Sequence, residues 1–207
     1  MDEFEKNGYV IVRNALNTQS VNLLCIQFKM LRDSLMVING FDINDNILEI
    51  LNFHDGLCKK AFCYYGAQCF DSLLILLQDK VESIVGKKLI PSHSNSRIMY
   101  NGTSMIKHKD RSACEYTVSI CIEEDENHPY PLMIKDYNEK IVEIDLSPGD
   151  MVVMKGTELE HWRESYKGNR HIQTFLSYVS ENGEQTKWKY DSRPALGLKE
   201  KWKTLNK

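Results

Sequence analysis

The sequence predicts an α+β domain in which helices come first and a barrel or sandwich of short strands follows, the helices covering one sheet face. Three observations carry this. Before about residue 88, apolar residues recur at helical spacing. From about residue 89 the chain breaks into short β-rich runs bounded by Asn, Gly, Pro and Asp. The length of 207 residues fits one domain, 1–207, divided into mainly helical support (1–88), a β core (89–180) and a polar tail (181–207).

Each element has its own local cause. GYVIVRNAL reads as a short strand. Asn17 or Thr18 then caps a helix that places Val21, Leu24, Phe28, Leu31 and Leu35 at three-to-four spacing, and Asn39-Gly40 ends it. A second helical stretch covers about 43–53. A third covers about 57–85, broken near Gly66, with Leu73, Leu76, Leu77, Val81 and Ile84 on its buried face and Gly86 as its stop. Beyond it, LIPSHSNSRIMY meets Asn101-Gly102, a strong turn dipeptide. SMIKHKD, EYTVSICI, PLMIKD, KIVEIDL, MVVMK and HIQTFLSYV follow as strands, with a sharp turn at Ser147-Pro148-Gly149-Asp150. The tail after Ser180, with Trp188, Tyr190 and Trp202, reads as a short helix and extended arm.

Composition narrows the function. With 42% hydrophobic and 27% charged residues, the chain is neither disordered nor collagen-like. Its net charge of −3 gives no broad attraction for nucleic acid or anionic membrane, so neither is expected as a partner. No window approaches the roughly 18 consecutive apolar residues of a membrane helix, and MDEFEKNGYVIV starts acidic, without a secretory apolar core. A cytoplasmic protein is expected. The six cysteines (25, 58, 63, 69, 114 and 121) lack CxxC spacing and read as reduced thiols, with Cys58, Cys63 and Cys69 packing helices.

The chemistry-bearing segment is Ile106-Lys107-His108-Lys109-Asp110. On a strand, positions 108 and 110 point to the same side. His161, in GTELEHWRE after the SPGD turn, is the candidate third ligand. Two histidines and one carboxylate match the facial set of non-heme Fe(II) oxygenases, which leaves three positions open for co-substrate and oxygen. Arg170 lies nine residues after His161, beyond the turn-like Tyr166–Asn169. A hairpin there sets Arg170 opposite His161, where a guanidinium fork suits a carboxylate. Thr174 shares its strand parity and adds a hydroxyl. Taken singly, HxD is a common surface pair, His161 a turn histidine and Arg170 an ion-pair partner. Order, spacing and strand context together favour the ligand assignment. His54, His93, His128 and His171 have no partner pattern and read as non-ligands. Arg111, Trp162 and Arg163 follow the ligand positions as substrate-mouth, rim or packing residues.

This order of His-x-Asp, a gap of about fifty residues, His and then Arg resembles the 2-oxoglutarate and Fe(II)-dependent dioxygenases over about residues 95–180. Met99-Tyr100-Asn101-Gly102 leading into HxD, then EYTVSICI and the PGD turn, is similar to the prolyl 4-hydroxylase-like branch. FEKNGYVIVRNAL resembles the entry to phytanoyl-CoA-dioxygenase-like domains. The resemblance implies a double-stranded β-helix (jelly-roll, cupin-like) catalytic core at 89–180 with N-terminal supporting helices packed outside. It implies that His108, Asp110 and His161 hold Fe(II) and that Arg170 binds the distal carboxylate of 2-oxoglutarate. Tyr100 either hydrogen-bonds that carboxylate or is structural, and Thr117 and Ser119 either line the pocket or fill the core. The implied enzyme uses 2-oxoglutarate and O2, with ascorbate as an accessory. It hydroxylates a protein or peptide residue or a small molecule and releases succinate and CO2.

Three departures matter. Ile172 stands where many relatives carry Ser or Thr, leaving the second carboxylate contact to Thr174 or Tyr100. HPYPLMI replaces the usual Gly-Gly-Glu pattern. Leu176 stands where nucleic-acid dealkylases carry arginine, which argues against base repair. The alternatives are a non-catalytic binding module and a cupin-like metalloprotein without 2-oxoglutarate turnover. Cupins bring three histidines and a glutamate, which this chain does not show at suitable spacing. Oligomeric state is left open.

Overall fold

The computed structural model describes residues 3–43 and 56–198. Its elements are α1 (Glu3–Asn7), β1 (Tyr9–Val12), α2 (Thr18–Ile38), β2 (Cys58–Tyr65), α3 (Gln68–Leu76), α4 (Gln78–Val85), β3 (Leu89–His108), β4 (Tyr116–Glu123), β5 (Leu132–Lys135), β6 (Ile141–Ile144), β7 (Met151–Met154), β8 (Glu160–Arg163) and β9 (Arg170–Ser180). Asn17 caps α2 from an extended backbone, its side chain accepting from Ser20 N at 2.9 Å. The helix buries Val21, Leu24, Phe28 and Met36. The helical stretch expected over about 43–53 lies, beyond residue 43, outside the described residues.

Two expectations are corrected. Residues 58–65 form a strand, not the start of a helix, and pair antiparallel with β3 through Phe62↔Ile98 and Tyr65↔Asn95. AFCYY is rich in residues that favour a pleated surface, and the partner strand overrides the helical spacing. Cys58 and Cys63 are therefore strand residues. Helix resumes only after Gly66, whose φ of +66° breaks the strand. Asn101-Gly102 is likewise no turn between two strands. β3 runs on for 20 residues and bends there, Gly102 taking φ +84° and donating to Tyr166 O while Tyr166 N donates to Thr103 O.

The strands form one antiparallel sheet in the order β1-β7-β4-β9-β3-β8-β5-β6, with β2 also on β3. The sheet curls, and strand alternation gives its two faces different jobs. On β4, Tyr116, Val118, Ile120 and Ile122 join Ile172, Leu176 and Tyr178 of β9 in the core under α2, α3 and α4. The opposite face forms the interior, where Cys121, Val152, Met154, Leu132, Ile134 and Leu159 make a second apolar cluster. The SPGD turn is fixed by contact with the N-terminal segment. Asp150 accepts from Arg13 Nη1, Asn14 N and Ser147 N, and a Cβ on Gly149 would meet Leu16 O at 2.7 Å. None of the six cysteines forms a disulfide. Among the described residues no helix is long and apolar enough to cross a membrane.

The C-terminal segment is tied down by a buried ion pair. Arg193 Nη1 lies 3.0 Å from Asp71 Oδ2, with both side chains 2% exposed. Gly197 N, Ser94 N and Ser94 Oγ complete the donors to that carboxylate. Removing one member of such a pair strands the other charge. Asp71→Ala is therefore expected to lower stability by about 3–5 kcal/mol, read as a lower denaturant midpoint with an unchanged m value. An unchanged midpoint contradicts this.

Candidate metal centre

The β3–β8 register sets His108 directly opposite His161. Asp110 lies two residues past the end of β3, its N–H donating to Gly156 O at 2.9 Å. One ligand atom from each of the three lies within 4.8 Å of the others, a spacing that can hold a metal ion. Nδ1 of His108 is 2.8 Å from Ile106 O, and Nδ1 of His161 is 3.0 Å from Leu159 O. A carbonyl only accepts, so each Nδ1 carries the proton and each Nε2 keeps its lone pair. Those Nε2 atoms lie 3.5 and 3.6 Å from Asp110 Oδ1. Asp110 Oδ2 is engaged separately, accepting from Thr117 Oγ1 at 2.6 Å. Oriented imidazoles and a hydrogen-bonded carboxylate are what a divalent transition metal requires of its surroundings.

The charge balance fits the same set. Burial pushes His161 down, outweighing the upward pull of Asp110. Burial also acts to lower His108, but the Asp110 carboxylate beside it and its hydrogen bond to Ile106 O carry it upward on balance. Burial acts to raise Asp110, and the imidazoles of His108 and His161 beside it, with the Thr117 hydroxyl, hold it below its ordinary value. Gly156 makes room for this carboxylate. A Cβ there would stand 2.4 Å from Asp110 Oδ2 and 2.6 Å from Thr117 Oγ1.

The three residues line a cavity of about 840 Å³. Arg97, Met105 and Phe175 line it with them, as do Tyr65, His93, Arg111, Trp188 and Asp191, and the exposed Arg111 marks its mouth. Arg97 is 5% exposed and stands on β3 opposite Gln173. Its Nη1 donates to Met105 Sδ at 3.1 Å, and its guanidinium lies 4.8 Å from the Phe175 ring centroid. Deeper in the barrel, Arg163 of β8 is 2% exposed, donates to Tyr130 O and covers the Tyr130 ring. Burial pushes its pKa down. Among the described residues no carboxylate pairs with it, and its Nε has no partner.

Arg170, Tyr100 and Thr174 are not brought to the cavity, which corrects the hairpin expected at 166–169. β8 and β9 do not pair with each other; both pair with β3, so Arg170 stands opposite Tyr100, not His161. Alternation on β9 puts His171, Gln173, Phe175 and Ser177 inside, and Arg170 and Thr174 on the side of Ile172 and Leu176 under the helices. There Arg170 forms a two-pronged ion pair with Glu123 at 2.7 and 2.9 Å. Thr174 Oγ1 lies 2.8 Å from Ser96 Oγ, and Tyr100 packs against the helical core. Of the polar pair on β4, Thr117 lines the cavity, while Ser119 is buried and accepts from Gln173 Nε2. No sequence motif marks Arg97, Tyr65, Gly156 or Asp191. For Arg97 no alternation singles it out: Ser92 to Arg97 is an unbroken polar run within β3.

The mouth is built by the C-terminal segment. Trp188 Nε1 donates to Ser112 Oγ at 3.0 Å, and Asp191 is gripped by Arg111 and Tyr65. His93 stacks on Tyr65 at 5.1 Å, and burial, with the Arg111 charge, holds it to about 4, so it is neutral near pH 7. Tyr190, Asp191 and Ser192 have φ of 51°, 54° and 61°. Left-handed backbone costs a non-glycine residue about 1–2 kcal/mol.

No family model matches the sequence, and no curated protein matches it. Solved structures do. A Pseudomonas putida prolyl-4-hydroxylase is 11% identical, with 87% of this chain and 96% of that chain covered at a TM-score of 0.65. HygX from Streptomyces hygroscopicus, with nickel, 2-oxoglutarate and hygromycin B bound, is 10% identical over 86% of this chain and 85% of that one, TM-score 0.64. AviO1 from Streptomyces viridochromogenes Tue57 is 14% identical over 87% and 93%, TM-score 0.66. The chain has the fold of the 2-oxoglutarate-dependent oxygenases. In this double-stranded β-helix, the His-Asp-His set opens into the cavity enclosed by the curled sheet.

Two outcomes test this geometry. Gly156→Ala presses on the carboxylate and is expected to weaken Mn(II) binding about 10- to 100-fold in calorimetric titration. Unchanged affinity contradicts the close approach. Burial acts to raise Asp191, but Arg111, His93 and Tyr65 hold it at about 2. Its folded pKa thus lies below the ordinary carboxylate value near 3.9, so the Arg111–Asp191 clasp contributes fully above about pH 5 and is lost as pH falls toward about 2. The stability gap between wild type and Asp191→Asn should narrow over that window.

Proposed function

We propose that this protein is an Fe(II)- and 2-oxoglutarate-dependent oxygenase that hydroxylates a small molecule or peptide residue. The carrying observation is the set His108, Asp110 and His161: two Nε2 lone pairs and one carboxylate oxygen converge in a cavity that the buried guanidinium of Arg97 also lines. The overall conversion inserts one oxygen atom of O2 into a C–H bond of the substrate, the other entering succinate as 2-oxoglutarate loses CO2. Bound iron with its co-substrate supplies the oxidising power for that conversion.

The chain's own residues supply position and environment. Ile106 O and Leu159 O fix the two imidazole tautomers, and Thr117 fixes the rotation of the Asp110 carboxylate. Arg97 takes the role first expected of Arg170. It lines the same cavity as the metal set, and a buried guanidinium is stabilised by an anion that accepts from its fork. Arg163 adds a second positive charge deeper in the barrel, which favours an anionic ligand in this low-dielectric space. Phe175 and Met105 pack beside Arg97 and keep water from its donors.

His108→Ala or Asp110→Ala is expected to abolish 2-oxoglutarate turnover, measured as succinate released under air. Arg97→Gln is expected to weaken 2-oxoglutarate binding at least about tenfold, the effect of about 1.4 kcal/mol, while Arg170→Ala leaves it within about twofold. Turnover retained without Asp110 sinks the ligand assignment. A large loss on Arg170→Ala with none on Arg97→Gln reverses the clamp assignment.

A further inference from the structure

The mouth of the cavity holds a carboxylate that the proposed reaction does not use. Asp191 arrives from the C-terminal segment with its side chain only 7% exposed. Arg111 grips both of its oxygens, Nη1 to Oδ1 at 2.8 Å and Nη2 to Oδ2 at 2.6 Å, and Tyr65 OH donates to Oδ2 at 2.6 Å. These donors are held by other neighbours as well. The Tyr65 ring stacks on buried His93, and the Trp188 ring lies 5.5 Å from the Arg111 guanidinium. Three consecutive non-glycine residues adopt left-handed backbone to deliver this one carboxylate. Such conformations persist only where the surroundings over-determine them, and they gather at ligand clamps and switches.

The surroundings favour anions. Lys109 and Arg111 are exposed and line the cavity, and Lys187 and Lys189 are exposed on the segment that carries Asp191, in a chain whose net charge is −3. A local positive rim on an acidic chain draws in an anionic ligand. Arg111 also follows Asp110 directly and lines the same cavity as the metal set. A planar carboxylate suits a guanidinium fork better than it suits an ammonium group.

We propose that Arg111 and Tyr65 form a carboxylate-binding subsite for the substrate, which Asp191 fills when substrate is absent. The substrate class is a small organic acid whose carboxylate docks at the mouth and whose carbon skeleton reaches toward His108, Asp110 and His161. Exchange of one carboxylate for another keeps Arg111 paired throughout, and the released Asp191 regains water while its segment leaves the left-handed conformation. This inference rests on the oxygenase reading for its chemistry, but the subsite itself is testable without it.

Asp191→Gly removes the carboxylate and leaves a residue for which φ of 54° is unstrained. Acetate is then the missing group. In thermal melts of the full-length chain without added metal or 2-oxoglutarate, acetate at ten times half-saturation should raise the Tm of Asp191→Gly by about 3–6 °C over equimolar chloride. Wild type and the double variant Asp191→Gly/Arg111→Gln should not respond. No shift in folded Asp191→Gly, a shift that survives Arg111→Gln, or an equal shift with inorganic phosphate overturns the subsite. Asp191→Ala serves as a second vacated variant should the glycine form fail to fold. In the iron-loaded enzyme, free amino acids are compared with their amides as stimulants of succinate release. Acids should stimulate and amides should not, and an amide as effective as its acid overturns the substrate class. Absence of all 2-oxoglutarate turnover defeats the oxygenase reading and the substrate class with it, yet leaves the acetate result standing.

Discussion

The pairing of β3 with β8 sets His108 opposite His161, and the rest of the site is arranged around that register. The ring centroids stand 4.3 Å apart. Each imidazole gives its Nδ1 proton to the carbonyl two residues before it, so the same local geometry recurs on two different strands. A slip of one residue would turn either ring to the other face of the sheet and dissolve the set. Asp110 is placed from outside the ladder by its N–H on Gly156 O, and the absence of a side chain at Gly156 is what allows its carboxylate to stand there.

The same alternation that aims the ligands divides the sheet into two environments. Ile98, Val118, Ile120, Ile172 and Leu176 face the helices and form the larger apolar core. The interior face is mixed. It holds Thr117, Ser119, Gln173, His171 and the guanidiniums of Arg97 and Arg163, all buried. Polar groups this deep are expensive unless they are satisfied. Gln173 bridges His171 and Ser119, and burial with the Arg163 charge holds His171 to about 3, so it stays neutral. A domain that needed only stability would fill this space with apolar side chains. The cost is borne where the cavity opens to the metal set, as functional sites commonly require.

Much of this was legible in the sequence. The capped helix α2, the strands after residue 89 and the SPGD turn follow from local spacing and turn chemistry. His108, Asp110 and His161 were found together because their order and strand context are specific. What failed depended on pairing between distant segments. Residues 58–65 read as helix because their spacing is ambiguous, and only β3 makes them a strand. Spacing brings Arg170 to the cavity only if consecutive strands form a hairpin. The chain instead places β8 and β9 against different stretches of β3, and a surface ion pair with Glu123 takes the arginine. Arg97 carries no motif, and its position in the interior is visible only once strand parity is fixed along the whole of β3. The mouth formed by Tyr65, Arg111 and Asp191 joins residues up to 126 positions apart, beyond the reach of any local pattern.

We propose that His108, His161 and Asp110 together hold a metal to which 2-oxoglutarate binds. Anaerobic addition of Fe(II) followed by 2-oxoglutarate to the full-length protein tests this assignment. Wild type should show a weak visible metal-to-ligand charge-transfer band that disappears in Asp110→Ala. A wild type without the band, or a band that persists without Asp110, would contradict it.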